Sequence, residues 1–262
     1  MSKVPEVGLQ DVTQVYVTDR EATLAIDRFS LTVQTGEFVS LVGPSGCGKT
    51  TILSMIAGLL LPTSGQVQVL GRAVQGPTPA VGYMLQQDYL FPWRTIQENA
   101  MIGLELTGQK DAASREYTLH LIEEMGLQHA INLYPHQLSG GMRQRVALVR
   151  TLATKPDILL LDEPFSALDY QTKLQLEDLV AFTMKQHKKT AILVTHDLSE
   201  AVAISDRVIV LESHPGRLRK EFQIPEAIRS AEPFYAREQE GFNALFHEVW
   251  KELESTERRT TS

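Results

Sequence analysis

The segment GPSGCGKTT at Gly43–Thr51 constrains the fold of this chain more than any other stretch. It fits G-x-x-x-x-G-K-[ST], the phosphate-binding P-loop, a motif that requires a strand before it and a helix after it. EFVSLV (Glu37–Val42) reads as a buried strand and TILSMIAGLL (Thr51–Leu60) as a helix with an apolar face. A Gly-rich turn that binds nothing would not need that context. The glycines let the backbone curl so that peptide N–H groups converge at the positive end of the helix dipole. Gly43, Pro44, Ser45, Gly46, Cys47, Gly48, Lys49, Thr50 and Thr51 are therefore candidate contacts to a nucleoside triphosphate. Lys49 would reach the β- and γ-phosphates, and the Thr50 hydroxyl would ligate Mg²⁺.

The chain has 262 residues, 43% hydrophobic and 22% charged, as expected of one large globular domain or a domain with an added lobe. Its formal net charge of −7 argues against a nucleic-acid partner. Cys47 is the single cysteine, so no disulfide forms within the chain, consistent with a reducing compartment. That thiol is either oxidation-sensitive or a small residue tolerated in a loop that uses its backbone. The stretch MSKVPEVGLQ lacks the basic and apolar regions of a signal peptide, and no run approaches the roughly 18 apolar residues of a spanning helix. Work at a membrane would have to go through a partner.

Gly8–Val17 and Leu24–Gln34 alternate loosely and are rich in β-branched residues, which predicts an antiparallel pair. Gln66–Leu70 and Ala80–Leu85 predict further strands. Residues 95–155 are helical in pattern; Tyr117, Leu121, Ile122 and Met125 share a helical face. This stretch reads as a helical lobe inserted between strands of the core sheet. The α/β pattern resumes with ILLLD (Ile158–Asp162), a continuous apolar run expected of a parallel strand buried on both faces. A helix over 171–187, a strand over Thr190–Thr195, a short helix over Asp197–Ser205 and a strand over Arg207–Glu212 follow. Phe242, Leu245, Phe246, Val249, Trp250 and Leu253 mark an amphipathic helix. Packing on its own domain is the favoured reading and binding a second chain the other. The end of the chain, ESTERRTTS, reads as a frayed tail.

Two further segments carry chemistry. ILLLDEP (Ile158–Pro164) ends a buried strand with adjacent carboxylates. In a P-loop protein Asp162 would hold Mg²⁺ and Glu163 would polarise an attacking water, a role that typically contributes about 10²–10⁴-fold to rate. LSGGMRQR (Leu138–Arg145) places Ser139, Gly140 and Gly141 before a helix predicted from Met142 to Ala153, which makes a second anion-receptive N-terminus. One nucleotide does not need two such sites from one chain. A head-to-tail dimer, in which this element closes on the γ-phosphate held by the partner's P-loop, is the economical explanation; a plain Gly-rich N-cap is the alternative.

With these segments in this order, the chain resembles the ATP-binding cassette (ABC) ATPases over nearly all of residues 5–250. LSGGMRQR resembles the family signature and ILLLDEP the Walker B strand. Ser166–Asp169 resembles the D-loop, so Asp169 is implied at the dimer seam. His196 resembles the switch histidine that contacts the γ-phosphate. Gln86 resembles the Q-loop glutamine, which ligates Mg²⁺ and senses the transmembrane partner; Gln87 competes for that role. Tyr16 resembles the aromatic that stacks on adenine, or is simply a strand tyrosine. The resemblance implies ATP and Mg²⁺ as ligands, with Lys49, Glu163 and His196 catalytic and Thr50, Gln86 and Asp162 on the metal. It also implies an α/β fold: a P-loop NTPase core whose mixed sheet is flanked by helices, an N-terminal antiparallel β subdomain and the inserted helical subdomain. The expected divisions are an ABC ATPase domain over 5–250, a helical extension over 225–254 packed on it, and a disordered tail over 255–262.

DYLFPWRTIQENAMIG (Asp88–Gly103) follows Gln86. In ABC transporters this region receives the coupling helix of the membrane subunit, so permease subunits are implied partners of Gln86–Trp93. Phe91 and Trp93 could equally cover the helical lobe's own core. LFPWRT, the P-loop and SHPGRLRKEF (Ser213–Phe222) resemble importer ATPases for nitrate, sulfonate, taurine and related small anions or thiamine-precursor-like solutes. That implies a peripheral subunit on the cytoplasmic face of the inner membrane, served indirectly by a periplasmic or extracellular solute-binding protein. An ABC system for lipid trafficking or export, or a non-transport ABC ATPase, is the alternative; the long coiled-coil insertion or second cassette usual in the latter is absent.

Overall fold

A computed structural model of the chain describes residues 6–18, 21–109, 111–166 and 168–260. Two sheets are built from β1 (Val7–Val17), β2 (Ala22–Val33), β3 (Phe38–Val42), β4 (Ser64–Val69), β5 (Arg72–Ala73), β6 (Val81–Met84), β7 (Ile158–Asp162), β8 (Thr190–Val194), β9 (Arg207–Glu212) and β10 (Arg217–Gln223). The smaller is antiparallel, in the order β2-β1-β4-β5, with Val7 opposite both Val33 and Val69. The larger runs β10-β9-β3-β8-β7-β6. Its five inner and lower strands are parallel, and β10 pairs antiparallel with β9 at one edge. This is the mixed α/β arrangement expected from the sequence.

The helices are α1 (Lys49–Ile56), α2 (Ile96–Thr107), α3 (Ala112–Glu124), α4 (Gly140–Ala153), α5 (Tyr170–His187), α6 (Leu198–Ile204), α7 (Glu226–Arg229), α8 (Pro233–Ala236) and α9 (Phe242–Thr260). The alternation within β7 shows why its sequence is continuously apolar. Ile158 and Leu160 face a core in which α1 lies between the two sheets, alongside Leu9, Phe29 and Val67. Leu159 and Leu161 face the opposite core, formed with α2–α5. Each such fully buried side chain contributes about 1.5–3 kcal/mol. α2, α3 and α4 all fall between β6 and β7, which are sheet neighbours.

The structure departs from the sequence reading in two places. Ser213–Phe222 was expected only as a family-like phrase, yet most of it forms β10. This edge strand is charged and buries only Phe222, so it lacks the apolar alternation that marks a strand. The tail expected over 255–262 is helical through Thr260, and residues 261–262 lie outside the described ones. The Ser255 and Thr256 hydroxyls donate to the Glu252 and Leu253 carbonyls at 2.7 and 2.6 Å, and Thr256 is buried. Upstream, Phe242 and Val249 bury their side chains among α6, β9 and Phe222, while Trp250 stays 50% exposed.

The turn between β9 and β10 also bridges the two sheets. Gly216 N–H donates to the Ala25 carbonyl at 2.8 Å, and Asp27 N–H donates to the Gly216 carbonyl at 3.0 Å. This places the Gly216 backbone directly against the P-loop.

Candidate active site

Four adjacent strands of the larger sheet bring the chemistry-bearing residues to its carboxyl edge, where ligands of open α/β sheets bind. In the order β6, β7, β8, β3 they deliver Gln86, then Asp162 and Glu163, then His196, then the P-loop. The strand ends are level: Met84 pairs with Leu161, and Asp162 and Leu41 both pair with Val194.

The P-loop folds around its own lysine. Lys49 is buried, and its ammonium donates to the Gly43 and Pro44 carbonyls at 2.8 and 2.9 Å. Gly48 sits at φ +93°, and a Cβ there would lie 2.3 Å from Ile26 Cδ1, so both backbone and space demand glycine. Gly48 is also the N-cap of α1 and offers no side-chain hydrogen bond to the helix. By contrast Thr95, Asp111, Ser139, Asp169 and Asp197 cap α2 to α6 with side-chain oxygens. The first turn of α1 is thus left for an anion. Cys47 is buried beside Lys49; burial pushes its thiol up, with the lysine opposing, so it is held protonated rather than as a reactive thiolate.

Thr50 Oγ1 donates to Asp162 Oδ1 at 3.4 Å, and the Tyr83 hydroxyl donates to Asp162 Oδ2 at 3.2 Å. Burial pushes the Asp162 carboxyl up, and both hydroxyls oppose it. Burial, reinforced by Asp162, pushes the Tyr83 phenol far above its ordinary range, so Tyr83 acts as a donor. A carboxylate and a hydroxyl side by side are a hard-oxygen donor set. Together they suit Mg²⁺, which takes few protein ligands and completes its shell with phosphate oxygens and water.

Glu163 is the centre of a second cluster. Its Oε2 accepts from Gln86 Nε2 at 2.9 Å and lies 3.3 Å from His196 Nδ1. The Glu163 backbone is left-handed at φ +47°, uncommon for a residue with a Cβ. Its N–H donates to the Val194 carbonyl at 2.8 Å, and its carbonyl accepts from Ser166 Oγ at 3.0 Å. These bonds hold the carboxylate at the mouth of the P-loop cavity. That cavity, about 410 Å³, is lined by Tyr16, Ala25, Ser45, Gly46, Gly48, Lys49, Thr50, Thr51 and Glu163. The Tyr16 and Thr51 hydroxyls lie 3.3 Å apart, which puts the Tyr16 ring at the cavity wall.

Ser139, Gly140 and Gly141 do not line this cavity. Both glycines belong to α4, which starts two residues earlier than expected, and Ser139 Oγ accepts from Met142 N at 3.3 Å. Asp169 accepts from Thr172 N at 3.1 Å at the start of α5, and these bonds to Thr172 hold its carboxyl below the usual range. Ala167, in the implied D-loop, lies outside the described residues.

The loop after Gln86 is gripped by α4. Gln144 Nε2 donates to the Gln86 carbonyl at 3.1 Å. Arg150 donates to the Asp88 and Tyr89 carbonyls at 2.7 and 2.9 Å, and Arg143 Nε to Asp88 Oδ2 at 2.9 Å. Of the aromatic cluster, Phe91 is half-buried, whereas Trp93 is 70% exposed. Sequence reasoning missed Tyr83 and Asn99. The fully buried Asn99 amide accepts from Phe91 N at 2.7 Å and donates to the Phe91, Arg94 and Thr95 carbonyls at 3.0–3.1 Å. Its one signal was a polar residue on the inner face of a predicted helix. Asn99→Ala leaves these backbone groups without partners and is expected to cost about 1–3 kcal/mol. A urea titration read by Trp93 fluorescence, in a Trp250→Phe background, measures this; an unchanged midpoint would show that the loop is held by other means.

A family model described as ABC transporter matches residues 26–166. The uncharacterized ABC transporter ATP-binding protein YtlC of Bacillus subtilis (strain 168) is 49% identical over 248 residues, 95% of each chain. The aliphatic sulfonates import ATP-binding protein SsuB of Bacillus licheniformis is 42% identical over 236 residues, covering 90% of this chain and 89% of the relative. The nitrate import ATP-binding protein NrtD of Synechocystis sp. is 40% identical over 216 residues, covering 82% and 81%. A solved dimeric, post-hydrolysis state of the ATP-binding cassette MJ0796 bound to ADP and Pi is 32% identical, with a TM-score of 0.75 over 84% of this chain and 99% of that one. No helix among the described residues is long and apolar enough to cross a membrane. An uncapped P-loop helix, a paired-carboxylate strand end and relatives aligned along almost the whole length lead to one assignment: the chain belongs to the ABC transporter family and is an ATP-binding cassette ATPase.

Proposed function

We propose that this chain energises uptake of a small solute of the sulfonate, nitrate or taurine class, working as a head-to-tail pair beneath separate permease subunits at the cytoplasmic membrane face. The observation that carries the pairing is the separation of Ser139–Gly141 from the cavity lined by the P-loop and Glu163. In this reading the phosphates of ATP lie on the uncapped start of α1, with Lys49 turning from the loop carbonyls toward them, and adenine stacks on Tyr16. The partner's copy of the Ser139 element closes the site. Mg²⁺, held by Thr50 and Asp162 with Gln86 nearby, would neutralise charge on the phosphate oxygens. Glu163 takes the proton of the attacking water, and His196 steadies both that carboxylate and the γ-phosphate. Because α4 carries Ser139 at one end and grips the Gln86–Tyr89 carbonyls along its length, closure at the nucleotide moves the exposed Tyr89–Trp93 surface where a permease would dock. The similarity to the sulfonate and nitrate import ATP-binding proteins supports the solute class.

Mixing two inactive variants tests the pairing. Lys49→Ala spoils the P-loop, and Gly141→Asp places a charge against Thr172 and the partner's phosphate. A head-to-tail heterodimer of the two contains one intact site, so mixing is expected to restore ATP turnover. No restoration, in a mixture shown to contain heterodimer, refutes the pairing. Normal sulfonate, nitrate and taurine uptake in cells lacking the chain would remove the solute reading.

A further inference from the structure

Among the described residues, a charge cluster outside the nucleotide cavity joins α5, α6 and the segment after α8. Lys173, in the first turn of α5, has its ammonium 2.7 Å from Asp197 Oδ2 and 2.7 Å from Glu200 Oε2, both in the first turn of α6. Asp197 is also the cap of α6, accepting from Ser199 N and Glu200 N, and it directly follows His196. One turn along α5, Glu177 is fully buried; its Oε2 accepts from Arg237 at 2.6 Å, while Oε1 lies 3.9 Å from Lys173, too far for a hydrogen bond. Arg237 also donates to Ser199 Oγ at 3.1 Å and to the Pro233 carbonyl at 2.8 Å. Lys173 and Glu177 from α5, Asp197 and Glu200 from α6, and Arg237 thus form one network. Its members start four residues after Asp169 and one residue after His196.

We propose that Arg237 is a positioning residue for ATP hydrolysis: by holding Glu177, it leaves Lys173 free to fix the turn that carries His196 against the start of α5. This rests on the reading that His196 faces the γ-phosphate. The reasoning is a competition between counter-ions. Three carboxylates surround Lys173, and a buried carboxylate stripped of its partner is strongly disfavoured. With Arg237 present, Glu177 is satisfied and Lys173 serves Asp197 and Glu200. Without it, Glu177 draws Lys173 toward itself and loosens the α6 cap. The C-terminal segment thereby reaches the catalytic turn without touching nucleotide. Burial already pushes the Glu177 carboxyl up to about 7, with Arg237 opposing. Loss of Arg237 raises it further, so in that variant Glu177 is protonated, and stops competing for Lys173, already as pH falls toward neutral.

The test uses the full-length chain. Arg237→Met is expected to lower kcat for ATP about tenfold at about pH 9, where Glu177 is ionised, in line with slight misplacement of a catalytic group, while KM changes little because the P-loop is untouched. The deficit relative to wild type is expected to shrink as pH falls from about 9 toward 7. Arg237→Lys restores kcat. So does Glu177→Gln placed on Arg237→Met, which leaves no unpaired charge and also serves as the readout should Arg237→Met alone fail to fold. An unchanged kcat in Arg237→Met overturns the proposal. So does a pH-independent deficit, or a folded double variant that stays as slow as Arg237→Met. His196→Ala separates the two readings: full turnover there removes the role of His196, whereas its loss alongside an active Arg237→Met removes only the role of Arg237.

Discussion

Glu163→Gln is expected to bind ATP, form a stable dimer with it and turn it over about 10²–10⁴ times more slowly than wild type, the usual worth of a positioned base. The substitution is nearly isosteric. A glutamine can keep contact with both Gln86 and His196, which now lie 2.9 and 3.3 Å from the carboxylate. The strained backbone at this position is held by Val194 and Ser166 rather than by the side chain, so it is expected to survive. What disappears is the capacity to accept a proton. Size-exclusion chromatography with and without ATP reads the trapped pair, and a phosphate-release assay reads turnover. Wild-type turnover would remove Glu163 from the chemistry and leave its convergence with Gln86 and His196 without a catalytic purpose.

Gly216→Ala is the second large effect, at a turn distant from the P-loop in sequence but packed against it. A Cβ there would sit 2.1 Å from the Cys47 carbonyl oxygen, 2.8 Å from Ile26 Cδ1 and 3.0 Å from the Ala25 carbonyl oxygen. Two of these neighbours are main chain, so no side-chain rotation relieves the overlap. Either the β9–β10 turn leaves β2, or the P-loop itself is displaced. Overpacking of this kind costs about 1–3 kcal/mol, sometimes more. The expected outcome is a lower denaturation midpoint together with weaker nucleotide binding, followed with a fluorescent ATP analogue. A variant matching wild type in both would mean that the turn yields without disturbing the loop.

The parts of this chain that were readable in advance are those where local chemistry decides the structure. A buried strand such as β7 announces itself because both faces are apolar, and the P-loop because phosphate binding demands glycines at fixed spacing. Asp162 and Glu163 are legible because charges seldom end an apolar run without a task. The order of segments supplied the α/β class and the helices between β6 and β7. What escaped depended on partners far along the chain. β10 is held by β9 and carries a solvent-facing composition. Asn99 and Tyr83 look like ordinary polar residues until their neighbours are seen. Arg237 meets Glu177, 60 positions earlier in the chain, and no local pattern announces that meeting. The helix at the end of the chain runs past its predicted limit, and the Ser255 and Thr256 hydroxyls find partners in its own carbonyls, which composition does not reveal.

The grip of α4 on the loop after Gln86 has an evolutionary consequence. Gln144 and Arg150 hold peptide oxygens, which every amino acid supplies alike. The outward-facing side chains of Tyr89 and Trp93 can therefore be exchanged over many generations without loosening the attachment beneath them. If permeases dock on this surface as proposed, a common motor could in this way be refitted to different membrane proteins by altering its surface alone.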